Sequence, residues 1–325
     1  MNAPVNGPVA NPASAVADYL ALRRAMGYQL RTAGRLLTDF VDFLQRSGAS
    51  TVTIQAATQW AMQPADASPA WWAARLSMAR GFAVYLATLD PVTQIPPAGL
   101  LPHRTHRPVP HLYSRADVVD LMTAAGRLTP AVRAATYSTL IGLLAVTGLR
   151  VGEAIRLGRD DIDTIDGLLT VRRSKFNSSR QVPLHTSTVA ALTAYAGVRD
   201  QLCPNPREST FFVSTRGTTL IYNNVRATFR SLAATLAAEP PGSKGHDGPH
   251  RRPARVRIND LRHSFAVTTL LDWHADGADV DSRLPLLSAY LGHADPAATY
   301  WYLQAAPELM AVVIARLEKT WTEPV

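Results

Sequence analysis

Tyr302 stands nine residues after His293, in the run Leu291-Gly292-His293-Ala294-Asp295-Pro296-Ala297-Ala298-Thr299-Tyr300-Trp301-Tyr302. Far upstream stand two arginines, Arg150 and Arg262, each at the opening of an expected helix. A phenol can attack a phosphodiester only where something cancels the charge growing on the phosphorus oxygens. Two guanidiniums and an imidazole can do this without a metal. A leaving 5′-oxygen also needs a proton, and arginine is too weak an acid to supply it. Lysine can, when neighbouring positive charge lowers its pKa. Lys175 is one of three lysines, beside thirty arginines, and sits in Arg173-Ser174-Lys175-Phe176-Asn177 at the tip of an expected hairpin. A tip lysine is ordinarily just solvated, so position alone gives it no role.

The local settings sharpen these candidates without settling them. Thr147-Gly148-Leu149-Arg150-Val151-Gly152-Glu153 places Arg150 at a sharp reversal and a helix start, where free N–H groups favour an anion. Glu153, one turn on, reads as support for the turn or for Arg150. Asn259 and Arg262 are three apart and share a helix face, so Asn259 serves as N-cap, as phosphate contact, or as both. His263 is rotated about 100° from Arg262. Tyr300 and Tyr302 are about 200° apart on a helix, so only one of them can point at a phosphate.

The elements that must hold these residues are mostly helical. Residues 1–12, rich in Pro, Asn, Ala and Gly, read as a disordered tail. A helical domain is expected over 13–90, with Leu36, Leu37, Phe40, Val41 and Leu44 on one apolar face. Ser68-Pro69 reads as cap and first residue of a helix to about Leu89. Trp71, Trp72, Leu76, Phe82 and Tyr85 read as core along it, and Arg75 and Arg80 as solvated or phosphate-contacting. A basic, proline-rich linker is expected over 91–112, followed by a catalytic domain over 113–325. There, Ser114 opens one helix, and a long apolar helix from Ala131 to about Val146 stops at Gly148. Three strands are expected: Ile162 to Ile165, Leu168 to Arg172 across an Asp166-Gly167 turn, and Arg180 to Leu184. Helices resume near Thr186, Tyr222 and Asn259. Leu286, Leu287, Tyr290 and Leu291 end one at Gly292. Asp295-Pro296 opens the next, and a last helix is expected from Pro307 to Trp321.

Composition bounds the partners. A 47% hydrophobic, 18% charged chain of 325 residues can bury two sizeable cores. No apolar run is long enough for a bilayer, and no secretory signal is legible near Met1. One cysteine, Cys203, excludes an internal disulfide and a cysteine zinc cluster. No membrane partner and a cytoplasmic location are therefore expected. A net charge of +8 favours a polyanion, nucleic acid before membrane.

In this order and spacing, Thr147 to Leu157, Lys175 with Val182-Pro183-Leu184, Asn259 to Ala266, and Leu291 to Tyr302 resemble the tyrosine recombinase (phage integrase) family. The resemblance runs from about residue 13 to 320 and is strongest to recombinases carried by transposons and insertion elements. It implies a fold that is mainly α with a small antiparallel β-sheet, a helical core-binding domain plus a catalytic domain. It implies Arg150 and Arg262 as the phosphate clamp, Lys175 as general acid, His293 as the second-box histidine and Tyr302 as nucleophile. Asn259 stands where the family usually has histidine, and it can donate a hydrogen bond to phosphate but cannot take a proton. The implied activity is site-specific cutting and rejoining of double-stranded DNA through a 3′-phosphotyrosine link, with no cofactor, metal or ATP. The implied partners are duplex DNA, a homotetramer on two DNA sites, and companion recombinases. Two other readings stay open: topoisomerase IB-like nicking and resealing, and a catalytically weak DNA-binding protein of the same fold.

Overall fold

The structure, a computed structural model, describes residues 11–28, 30–101, 110–172, 179–238, 256–293, 295, 299, 300 and 302. It separates into two compact units, residues 1–108 and 109–325. Lys175, the turn at 176–178, the loop at 239–253 and the helix expected from Pro307 to Trp321 lie outside the described residues. Among the described residues, no helix is long and apolar enough to cross a membrane.

The first unit holds α1 (Pro12–Ala25), α2 (Arg31–Arg46), α3 (Ile54–Met62) and α4 (Pro69–Leu86). Asn11 Oδ1 accepts from the Ala13 N–H at 2.9 Å and Pro12 is the first helical residue, so α1 begins inside the stretch expected as a tail. Ser68 caps α4 in the same way through the Trp71 N–H. Phe40, Leu44, Trp60, Phe82 and Leu86 are fully buried between the helices. Each such side chain stabilises the unit by about 1.5–3 kcal/mol relative to exposure.

Arg75 departs from the expectation of a solvated or phosphate-facing residue. It is buried, its guanidinium lies 3.9 Å from the Trp60 ring centroid, and it donates to the Trp60 carbonyl at 2.9 Å. Asp39 lies 3.6 Å away and accepts from Trp60 Nε1 at 2.9 Å. Helical spacing cannot show this, because the partners come from other helices. The start of the stretch expected as linker is also anchored: the Gln94 N–H donates to the Val52 carbonyl and its side chain accepts from the Ile54 N–H.

The second unit holds α5 (Arg115–Gly126), α6 (Ala131–Thr147), α7 (Val151–Ala154), β1 (Ile162–Asp163), β2 (Leu168–Val171), β3 (Arg180–Pro183), α8 (Thr186–Leu202), α9 (Tyr222–Ala238), α10 (Asp260–Ala275) and α11 (Val280–Leu291). Ser114 and Asp117 close a reciprocal capping box on α5. The strands form an antiparallel sheet in the order β1-β2-β3, with Leu169 opposite Val182 and Val171 opposite Arg180. The first hairpin differs from the expected two-residue turn. Asp163 Oδ1 accepts from the N–H groups of Ile165 and Asp166, which ends β1 at Asp163 and leaves Ile165 exposed in a longer loop. One core gathers α5, α6, α8, α9 and the buried sheet residues Leu169, Val171 and Val182. A second is built by Val267 and Leu270 of α10, Leu284, Leu287 and Leu291 of α11, and Tyr302. Together these elements give a mainly α fold with one small antiparallel sheet, among the described residues.

Candidate active site

The site is organised by the C-terminal end of α11. The last carbonyls of a helix have no partner within it and carry the negative end of its dipole. Here three successive carbonyls each receive an arginine from a different element. Arg180 Nε of β3 donates to the Tyr290 oxygen at 2.8 Å. Arg262 Nη2 of α10 donates to Leu291 at 2.8 Å, and Arg150 Nη2, before α7, donates to Gly292 at 2.9 Å. Gly292 closes α11 with φ +68°, and a Cβ there would lie 2.7 Å from Arg180 Nη1, so glycine is required twice over. Gly148 does the same for α6: its φ is +60°, and its carbonyl takes Arg262 Nη1 at 2.7 Å.

Glu153 ties Arg150 and Arg180 together. Its Oε1 accepts from Arg150 Nη1 at 2.8 Å, and its Oε2 accepts from Arg180 Nη2 at 2.8 Å. The Arg150 backbone N–H donates to Oε2 at 3.1 Å. Burial pushes the Glu153 carboxyl up, but hydrogen bonds and charge from Arg180, then Arg150, outweigh it and hold the group at about 2. Three guanidiniums against one carboxylate leave two positive charges at this point. Each guanidinium has five N–H donors; among the described residues, Nη1 and Nη2 of Arg262 serve Gly148 and Leu291, and those of Arg150 serve Glu153 and Gly292. The remainder suits a phosphate.

His293 follows Gly292 directly. Its backbone N–H donates to Ser288, and its Nδ1 is 2.7 Å from Thr299 Oγ1. Burial, then the charges of Arg262, Arg150, Arg180 and His263, lower the imidazole to about 4, so it is neutral at neutral pH. Tyr302 is 3% exposed, whereas Tyr300 is 50% exposed. The Tyr302 ring stacks on His293 with centroids 5.9 Å apart and meets the His263 ring in an edge contact at 5.3 Å. The Tyr302 phenol sits beside the Arg262 guanidinium, whose positive charge it favours. Burial lowers Arg262 to about 10, partly offset by Tyr302, and it stays charged.

Of the residues singled out in the sequence, the structure brings together Arg150, Arg262, His293 and Tyr302. Asn259 is at the exposed start of α10 in helical backbone geometry, and its side chain makes no capping bond. The chain already begins to turn at Arg257, whose N–H donates to the Asp260 carboxylate at 3.0 Å and whose carbonyl accepts from the Asp260 N–H. Lys175 lies outside the described residues. Two residues escaped the sequence reading. Arg180 shares a strand face with the fully buried Val182, and a charge at that parity needs a buried acid, which was the available signal. His263 points about 100° away from Arg262 on the helix, yet Tyr302 packs against it.

The phage integrase family model matches residues 113–308. The chain is 41% identical over 315 residues to a Sinorhizobium fredii protein named as integrase/recombinase y4rB, covering 95% of this chain and 98% of that one. It is 29% identical over 309 residues to the tyrosine recombinase XerD of Caulobacter vibrioides, covering 93% and 94%. In fold it is similar to the Tn1549 transposon integrase in complex with a circular intermediate DNA, with a TM-score of 0.62 at 16% identity over 90% of this chain and 94% of that one. It is also similar to the XerH recombinase bound to its palindromic difH substrate, with a TM-score of 0.58 at 16% identity over 90% and 80%. With the family model spanning most of the second unit and this identity along nearly the whole chain, the protein belongs to the phage integrase family.

Proposed function

We propose that this protein is a site-specific DNA recombinase that cuts and rejoins duplex DNA through Tyr302. The observation that carries the reading is the convergence of Arg150, Arg262, His293 and Tyr302 at the end of α11, with the Tyr302 ring stacked on His293 and its phenol beside the Arg262 guanidinium. A scissile phosphate seated on Arg150 and Arg262 would meet a phenol already aligned with the clamp. Tyr302 attacks phosphorus, the P–O5′ bond breaks, and a 3′-phosphotyrosine link conserves the bond energy. Lys175 protonates the departing 5′-oxygen, and Asn259 donates a hydrogen bond to the phosphate. A 5′-hydroxyl from the partner strand then attacks the link and completes exchange. The similarity to y4rB and XerD supports recombination over simple relaxation. The reaction takes place in a tetramer on two DNA sites, in the cytoplasm, with room for companion recombinases, and the element served is a transposon or insertion element.

A nicked suicide duplex tests this directly, because the short leaving strand diffuses away and traps the covalent link. The parent and Tyr300→Phe should give an adduct on denaturing gels. Tyr302→Phe should bind the same duplex and give none. An adduct that survives in Tyr302→Phe would refute the assignment.

A further inference from the structure

The proton on the Tyr302 phenol must leave as the phosphorus bond forms, and few of the described residues near it could take it. Asn259 has no basic site and is exposed at the start of α10. Arg262 is charged. His293 has its Nδ1 on Thr299 and is ringed by Arg262, Arg150 and Arg180. Burial, and after it that ring of cations, makes it a weak base in the DNA-free enzyme, at about 4. A second imidazole touches the phenol: His263, in edge contact with Tyr302 at a 5.3 Å centroid distance and an interplanar angle of 62°. It is carried by α10, next in sequence to Arg262, whose guanidinium lies beside the phenol.

We propose that His263 is the catalytic base that accepts the Tyr302 proton, a role that rests on Tyr302 being the nucleophile. As Tyr302 Oη bonds to phosphorus and the P–O5′ bond breaks, the phenolic proton passes to a ring nitrogen of His263. The 5′-oxygen takes a separate proton from the general acid. In rejoining, the 5′-hydroxyl attacks, the P–Oη bond breaks, and the imidazolium returns its proton to the phenolate. Among the described residues, the groups facing His263 include Arg262 on its own helix, Tyr302 and His293. An arriving phosphate offsets the arginine and favours the imidazolium. Catalytic hydrogen bonds often close only when substrate binds, so a ring contact in the DNA-free enzyme is compatible with the role.

His263→Phe keeps an aromatic ring against Tyr302 and removes the nitrogens. In the full chain on the suicide duplex, it should still bind DNA, while single-turnover adduct formation falls by about 10²-fold or more. The parent rate should drop as pH falls through the histidine range, and that limb should be missing from His263→Phe. His263→Ala guards against a folding defect: it should be slow, and added imidazole should speed it. Parental rate and pH profile in His263→Phe, or a slow His263→Ala that imidazole does not speed, would overturn the role. A parent that binds the duplex and forms no adduct fails at the proposed function itself, which separates the two conclusions.

Discussion

Arg180 and Glu153 form a two-point ion pair, with Nη2 2.8 Å from Oε2 and Nη1 3.2 Å from Oε1. The Glu153 side chain is only 3% exposed and that of Arg180 13%. The same carboxylate grips Arg150, so a residue of β3 sets the aim of an arginine in the α6–α7 turn. Breaking a buried pair strands its partner, at a cost of about 3–5 kcal/mol. Glu153→Ala should fall at the lower end of that range, because Arg150 is a third exposed and can rehydrate. With its pKa held from 4.5 down to about 2, Glu153 contributes stability above pH 4.5 that is lost as pH falls through about 2. Urea unfolding should show this acid dependence in the parent and not in Glu153→Gln. Equal stability of parent and Glu153→Ala would mean the ion pair is ornamental.

Gly292→Ala should disable the site without touching a charged group. An added Cβ would sit 2.7 Å from Arg180 Nη1, in a backbone conformation with φ +68° that side chains avoid. Either Arg180 leaves Glu153 or the α11 terminus shifts, and with it the carbonyl that holds Arg150. Strain of this kind costs about 1–3 kcal/mol. We expect a lower Tm by differential scanning calorimetry and a slower single-turnover adduct rate. A fully active Gly292→Ala would show that the α11 carbonyls do not position the arginines.

His293 should couple DNA binding to proton uptake. Its pKa is lowered from 6.5 to about 4, so protonation opposes the folded state, and the stability present above pH 6.5 declines as pH falls toward 4. A phosphate on Arg262 and Arg150 cancels the cations that contribute to the depression, and the pKa must then rise. Binding should therefore tighten as pH falls between about 6.5 and 4, relative to His293→Gln at the same salt concentration. Fluorescence anisotropy with a labelled duplex measures it. Parallel pH slopes for parent and variant would contradict the linkage.

Much of this was legible in the chain because the relevant signals are local. Gly148 and Gly292 announce helix ends, Ser68 and Ser114 announce starts, and period-2 alternation marks the strands near Val171 and Val182. The burial of Tyr302 and exposure of Tyr300 follow from a separation of two on a helix. What was not legible depends on residues far apart in sequence. Arg75 is read as a surface residue until Trp60 and Asp39 arrive from other helices. Arg180 meets Glu153 across 27 residues and Tyr290 across 110. His263 meets Tyr302 because the chain returns after α11 to lie beside α10, which no helical angle measured from Arg262 can reveal.

Asn259 stands one helical turn before Arg262, exposed and free of a capping duty, where an amide can donate to a phosphate oxygen. A hydrogen bond to a charged group contributes about 1.5–3 kcal/mol, or roughly one to two decades in rate. Asn259→Ala should slow single-turnover cleavage by that amount. Asn259→Asp should be slower still, because it opposes a negative charge to the phosphate. Asn259→His supplies the same donor together with a base near neutral pH, so it should cleave well. It should also restore part of the rate lost in His263→Phe, since a second imidazole would then stand within reach of the reacting phosphate. If Asn259→Ala cleaves as fast as the parent, the amide does not touch the phosphate, and the clamp consists of the arginines alone.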